Sequence, residues 1–256
     1  MTRCHRIPML FGALCALWVS SPMSARQVPA TASPTAAPDA EAQRVLARAR
    51  EALGGVDRLA AVRSLVVEGT RTRSPGSPYS EDDPYGFRLL LPDRYQSLAS
   101  EYRHTLDGGS FWMNENAGEI VVDSDLRTVA ERSTRWNFIY NSLLFLLNVP
   151  AGARAEFRYS GAMAEDPGNR EWLEVAVSGS KSTVKIGFDR STGLPTVVKR
   201  TGTLGEAVDT LSGHRAVDGI LFPFVIEDRL GDNNAVTNIS AIRVNSGVTA
   251  ADFARR

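Results

Sequence analysis

From residue 154 onward the chain is a succession of short segments in which apolar and polar residues alternate, with turn residues between them. The periodicity predicts strands over 154–163, 171–178, 183–189, 196–201, 207–214, 220–227 and 235–244. Val184, Ile186 and Phe188 face one way, and Thr183, Lys185 and Asp189 the other. The strand at 220–227 follows the turn Asp218-Gly219 and carries Ile220, Phe222, Phe224 and Ile226 on one face. Pro223 has no N–H to give to a ladder, so this strand is expected at a sheet edge or with a bulge. Such alternation needs one buried and one wetted face, which is the signature of an antiparallel sheet covered on a single side.

The first half of the chain adds strands at 65–72, 87–91, 94–99, 102–106, 110–114 and 119–122, with a hairpin signal at Asp107-Gly108-Gly109. Residues 74–84 hold three prolines and three acids and read as a long exposed loop. Three segments have helical spacing. In 39–53, Asp39 suits the N-cap and Gly54-Gly55 the stop. A short piece spans 57–62. The third, 126–147, contains neither proline nor glycine. Arg127, Glu131 and Arg135 stand four apart along it and are placed to pair. Trp136, Ile139, Tyr140, Leu143, Leu144 and Leu147 form a stripe, and Phe138, Phe145 and Leu146 fill the other side. A half-helix apolar on all sides must be buried on more than one side, or cover a cavity.

Residues 1–25 carry Arg3 and Arg6, then a short apolar run, then small residues, the pattern of a cleavable secretory signal. The run is too short for a membrane span, which needs roughly 20 residues. Residues 26–38 are rich in Ala, Pro, Ser and Thr and read as a flexible lead into one domain over 39–256. Both cysteines, Cys4 and Cys15, fall in the signal, so the mature chain has no disulfide framework. Leu14 before Cys15 and Gly12 two residues earlier do not make a lipidation signal. The chain has 29 Lys and Arg against 29 Asp and Glu. That balance gives no electrostatic case for a nucleic acid partner.

Reactive chemistry is sparse. Outside the signal the histidines are His104 and His214, far apart and expected on solvent-facing strand positions. No spacing of metal ligands is present, and neither is a nucleophile motif, so no catalytic residue, metal or cofactor is expected. Glu81, Asp82 and Asp83 are read as loop acids that hydrate the chain. The remaining constellation is aromatic: Trp112, Trp136, Trp172, Phe188, Phe222 and Phe224. Together with the apolar helix these imply more apolar surface than thin helices can seal, and the excess fills a core or lines a pocket.

Several short motifs carry a resemblance. Glu51-Ala52-Leu53-Gly54-Gly55, Leu59-Ala60-Ala61-Val62-Arg63-Ser64-Leu65 and Glu68-Gly69 stand near the start. Phe188-Asp189-Arg190-Ser191-Thr192-Gly193-Leu194-Pro195, Val217-Asp218-Gly219-Ile220-Leu221-Phe222-Pro223, Ile242-Arg243-Val244-Asn245 and Asp252-Phe253 stand near the end. In this order the chain resembles the bacterial periplasmic lipoprotein-carrier superfamily, the LolA/LolB-like proteins, with the mycobacterial lipid-carrying lipoproteins as relatives. The resemblance implies a mainly β (α+β) fold: an unclosed, strongly curved antiparallel β-barrel with helices plugging its concave face. It implies a monomeric, non-enzymatic periplasmic carrier for a lipid or the acyl group of a lipoprotein. The alternative is an envelope interaction or sensor module that binds another protein. The ligand-binding residues expected on this basis are Trp136, Ile139, Leu143, Phe145, Leu147, Phe188, Phe222 and Phe224. No lipidation signal and no second domain accompany the motifs, and the acidic loop 74–84 is not a feature of the superfamily.

Overall fold

The structure is a computed structural model that describes residues 39–74, 82–98, 102–115, 118–119, 124–148, 155–161, 166, 168–177, 183–202, 205–231 and 233–255. The expected signal at 1–25, the lead at 26–38, both cysteines and residues 75–81 of the expected loop lie outside these. Two helices open the described chain, α1 (Ala40–Leu53) and α2 (Val56–Ala61). The strands β1 (Ser64–Arg73), β2 (Asp82–Leu90), β3 (Arg94–Ser97), β4 (Tyr102–Asp107), β5 (Ser110–Glu115) and β6 (Gly118–Glu119) follow. Helix α3 (Ser124–Leu146) then leads to β7 (Ala155–Gly161), β8 (Arg170–Val177), β9 (Thr183–Asp189), β10 (Pro195–Gly202) and β11 (Gly205–Ser212). The chain ends with β12 (Arg215–Val217), β13 (Ile220–Phe222), β14 (Val225–Leu230), β15 (Asn233–Val244) and a 3-10 turn at Ala250–Phe253.

Thirteen of these strands form one antiparallel sheet in the order β6-β5-β4-β3-β2-β1-β15-β14-β11-β10-β9-β8-β7. It is open, with β6 and β7 at its two edges, and a sheet of this width curls rather than staying flat. The first and last long strands pair in its middle, Leu65 opposite Val244 and Arg71 opposite Thr237. Because β6 and β7 occupy opposite edges, their connection must cross the sheet, and α3 is that connection.

The two long helices cover one face. Helix α1 buries Ala42, Val45, Leu46, Ala49 and Leu53 and packs over β7 and β8. Helix α3 packs over β3 and β4 and buries Phe138 and the run from Asn141 to Leu146. The helices meet at their C-terminal ends, where Arg50 Nη2 donates to the Leu147 carbonyl at 3.4 Å and Asn148 Nδ2 to that of Leu59 at 3.0 Å. The opposite face is mostly wet. On it Phe253 of the 3-10 turn is fully buried against β3 and β4, with the Arg88 guanidinium 5.7 Å from its ring centre.

Two glycines answer to close approach. A Cβ on Gly54, which closes α1 at φ 129°, would stand 2.3 Å from the Gly219 carbonyl oxygen. One on Gly69 would stand 2.3 Å from that of Asn238, at the bulge where β1 and β15 shift register. Gly219 itself lies in the two-residue turn joining β12 to β13, where Asp218 and Gly219 have φ of 51° and 78°. Positive φ at both positions is what a type I′ hairpin requires.

Four expectations need correction. The strand expected over 220–227 is two strands: β13 pairs with β12 in a separate two-stranded sheet, and β14 joins the large sheet. The chain breaks at Pro223, which cannot donate, and re-enters at Phe224, whose N–H goes to the Ser212 carbonyl and whose carbonyl accepts from Ile239. The expected loop is shorter, since Asp82, Asp83 and Pro84 belong to β2, and Asp83 pairs with Arg73 at 3.1 Å. Glu131 and Arg135 pair as expected, but Arg127 donates instead to the Phe111 carbonyl at 2.6 Å. The histidines are half-buried rather than solvent-facing: burial lowers the basicity of both, and His214 lies after β11, in its two-residue connection to β12.

Candidate functional site

The helix-covered face has two chemically different parts, and the strands that build it pass from one to the other. Alternation from Leu65 and Val67 of β1 leads through Gly69 to Arg71 and Arg73. On β2 it leads from Leu89 and Phe87 to Tyr85 and Asp83; on β14 from Ile226 to Asp228; on β11 from Leu211 to Asp209; on β10 from Val198 to Arg200.

The apolar part holds the residues that the sequence nominated. Leu143, Phe145, Leu147, Phe188, Phe222 and Phe224 belong to one hydrophobic cluster, and Trp136 and Ile139 pack against it half-buried. The Phe145 ring lies 6.4 Å from that of Phe222 and 5.6 Å from that of Phe87. Phe145 and Leu147 of the helix end and Phe188 and Phe222 of the sheet side are each no more than 1% exposed. Any ligand reaching these groups must therefore take the place of α3 side chains.

The polar part was not nominated. Arg71 Nη2 donates to Asp228 Oδ2 at 2.6 Å. Asp228 stands directly opposite Asp209 on the neighbouring strand. Asp209 accepts from Arg200 Nη2 at 2.9 Å and from the Tyr140 hydroxyl of α3. The Arg200 guanidinium lies 4.7 Å from the centre of the Tyr140 ring. Two like charges directly across a sheet repel, and this pair persists because an arginine faces each carboxylate. The Asp209 side chain is 2% exposed, whereas those of Arg71 and Arg200 are 31% and 30% exposed. Burial raises the Asp228 carboxyl above its ordinary range, against the pull of Arg71. Burial, helped by the Asp209 charge, holds the Tyr140 hydroxyl protonated far above its usual range. The Nε atoms of Arg71 and Arg200 are both buried without a hydrogen-bond acceptor among the described residues. The only sequence signal for this strip was a charged residue at a position that alternation assigns to the buried face.

No protein-family profile and no curated protein matches the chain. Solved structures do. A LolA superfamily protein from Nitrosomonas europaea superposes with a TM-score of 0.54 at 12% identity, over 84% of this chain and 97% of that one. The fold is LolA-like. A putative outer membrane lipoprotein-sorting protein domain from Vibrio parahaemolyticus gives 0.53 at 13% identity, over 83% and 97%. A DUF1329 family protein from Desulfovibrio piger gives 0.56 at 11% identity, with the same shares. At such identities the likeness concerns the LolA-like fold alone. No helix among the described residues is long and apolar enough to cross a membrane, and no group of three His, Cys, Asp or Glu among them is placed to hold a metal ion.

Proposed function

We propose that this protein is a monomeric, non-enzymatic periplasmic carrier that shelters a lipid, or the acyl group of a lipoprotein, between α3 and the sheet. One observation carries the reading: the C-terminal half of α3 and the residue that follows it insert Leu143, Phe145 and Leu147 into the curved face instead of presenting one apolar stripe to it. Its residue set is Trp136, Ile139, Leu143, Phe145, Leu147, Phe188, Phe222 and Phe224. Support also comes from a fold shared with a structure described as a lipoprotein-sorting domain. The magnitudes are compatible. Lifting the three helix side chains off the sheet forfeits about 1.5–3 kcal/mol each. An acyl chain regains about 0.8 kcal/mol per buried methylene. A chain of about ten methylenes thus offsets the displacement, and a longer one leaves a surplus for binding.

Mass spectrometry of organic extracts from the purified protein tests the reading, with fluorescence of half-buried Trp136 as the solution readout. The expected result is a co-purifying long-chain lipid, or a fluorescence shift on adding fatty acid or lysolipid. Protein that carries no lipid and responds to neither refutes it.

A second reading, an interaction module for another envelope protein, is favoured by Leu126 and Val129. Each is 62% exposed on the first turns of α3, one helical turn apart. Their replacement by serine leaves lipid binding unchanged if the carrier reading holds.

A further inference from the structure

We propose that the strip formed by Arg71, Asp228, Asp209, Arg200 and Tyr140 is a headgroup site, which binds the anionic oxygen group, phosphate or carboxylate, of an amphiphile. The inference rests on the carrier reading and narrows it, because it selects charged amphiphiles over neutral ones. Three observations lead there. First, the strip shares a face with the apolar cluster, so a molecule lying along the strands meets hydrocarbon at one end and charge at the other. On β1 this passage takes four residues, from Val67 to Arg71, or about 13 Å of extended chain.

Second, both arginines are used incompletely. Each donates to its aspartate through Nη2 only, while its buried Nε–H has no acceptor among the described residues. The edge of a guanidinium that carries Nε and one terminal nitrogen matches two oxygens of a carboxylate or phosphate, and it is the arrangement for which arginine is suited over lysine. Buried donors without acceptors are uncommon enough that two in one strip call for a partner.

Third, the strip can yield an arginine without stranding a charge. Asp228 faces Arg71 from β1 and Asp209 from β11, with Arg200 of β10, Tyr85 of β2 and Tyr140 of α3 around the pair. Burial already works against the charged form of Asp228, so a headgroup oxygen can replace it on Arg71 as the carboxyl takes a proton. Asp209, tied to Arg200 and to Tyr140, stays in place.

The test is calorimetric titration of purified protein with dodecyl phosphate, dodecanoate, dodecyl maltoside and inorganic phosphate, all below micelle formation. Both anionic amphiphiles are expected to bind at least about tenfold tighter than the maltoside, and inorganic phosphate far more weakly than dodecyl phosphate. Arg71→Gln and Arg200→Gln should bring the anionic amphiphiles to the level of the maltoside without weakening the maltoside itself. If removing one charge unfolds the protein, Arg71→Gln with Asp228→Asn keeps the strip neutral and should still lose the preference. Equal binding of all three amphiphiles, or variants that keep the preference, overturns the headgroup site and leaves the carrier reading standing. Inorganic phosphate binding as tightly as dodecyl phosphate overturns it in favour of a free-anion site. Absence of binding by any amphiphile overturns both readings.

Discussion

Asp39 ties the start of helix α1 to the sheet edge through Tyr159. One carboxylate oxygen accepts from the Ala42 N–H at 3.1 Å, as an N-cap, and the other from the Tyr159 N–H of β7 at 2.7 Å. A single side chain therefore satisfies an orphan donor of the helix and an edge donor that has no neighbouring strand among the described residues. Both N–H groups, that of Tyr159 foremost, hold the carboxyl below its usual range. Asp39→Ala should lower Tm by roughly 2–6 °C, and Asp39→Asn by less, because an amide oxygen still caps. Thermal unfolding followed by circular dichroism decides this. Equal losses for the two variants would contradict the capping role.

Gly54 and Gly219 bring together two of the short motifs that carry the resemblance. Gly54→Ala would set a methyl group against the Gly219 carbonyl oxygen, in a backbone conformation that L side chains rarely adopt. We expect a loss of more than about 3 kcal/mol in urea unfolding, enough to deplete the folded state. Gly109→Ala, where a Cβ meets nothing within 4 Å, should change stability by under about 0.5 kcal/mol. Similar losses at both positions would mean that the close approach is not what Gly54 provides.

Glu171 of β8 joins α1 to the sheet by accepting from Arg44 Nη2 and Arg48 Nη2, both at 2.6 Å, with its side chain only 8% exposed. Burial pushes this carboxyl up, and the bonds and charges of Arg44 and Arg48 outweigh it, so it lies below its ordinary range. A folded pKa below the unfolded value of about 4.3 gives stability that is present above that pH. It is lost as pH falls through the folded value. Glu171→Gln should thus be less stable than the parent at pH 7, and the gap should shrink as pH is lowered from about 5 toward 2. A gap independent of pH would show that the ion pair contributes nothing.

Tyr140 is the point at which α3 is bonded to the middle of the sheet, through Asp209. Tyr140→Phe keeps the ring but leaves Asp209 with Arg200 alone, and should cost about 1 kcal/mol. If α3 lifts to admit a lipid, the same change should speed lipid uptake in stopped-flow fluorescence, with Trp136 as reporter. An unchanged uptake rate would place the opening elsewhere.

Much of the architecture was legible in the residues themselves. The alternation of β8 and β9, the Asp39 cap, the Gly54-Gly55 stop and the unbroken helical run are local signals that local geometry honoured, except that the helix stops at Leu146 and Leu147 turns out of it at φ 47°. The register along β15 was not legible. Ile242 and Ile239 both reach the buried face although they are three residues apart, because the bulge opposite Glu68 and Gly69 inserts one residue. The breaking of 220–227 into two strands was half legible, since Pro223 announced an interruption but not that its two sides would join different sheets.

The candidate site divides along the same line. The sequence by itself determined the apolar half, because hydrophobic side chains on a regular helix and regular strands declare their burial by their period. It also determined that one face of a large antiparallel sheet would be covered. Only the tertiary structure decided what lies beside that half. Arg71, Tyr140, Arg200, Asp209 and Asp228 come from four strands and a helix, and nothing in their spacing marks them as a group. They meet because α3 must cross from one sheet edge to the other, and because pairing the first long strand with the last sets Arg71 near Asp228. Charges placed on a buried face are tolerated only in company, and which charges keep company is a property of strand order and register, not of any local stretch of chain.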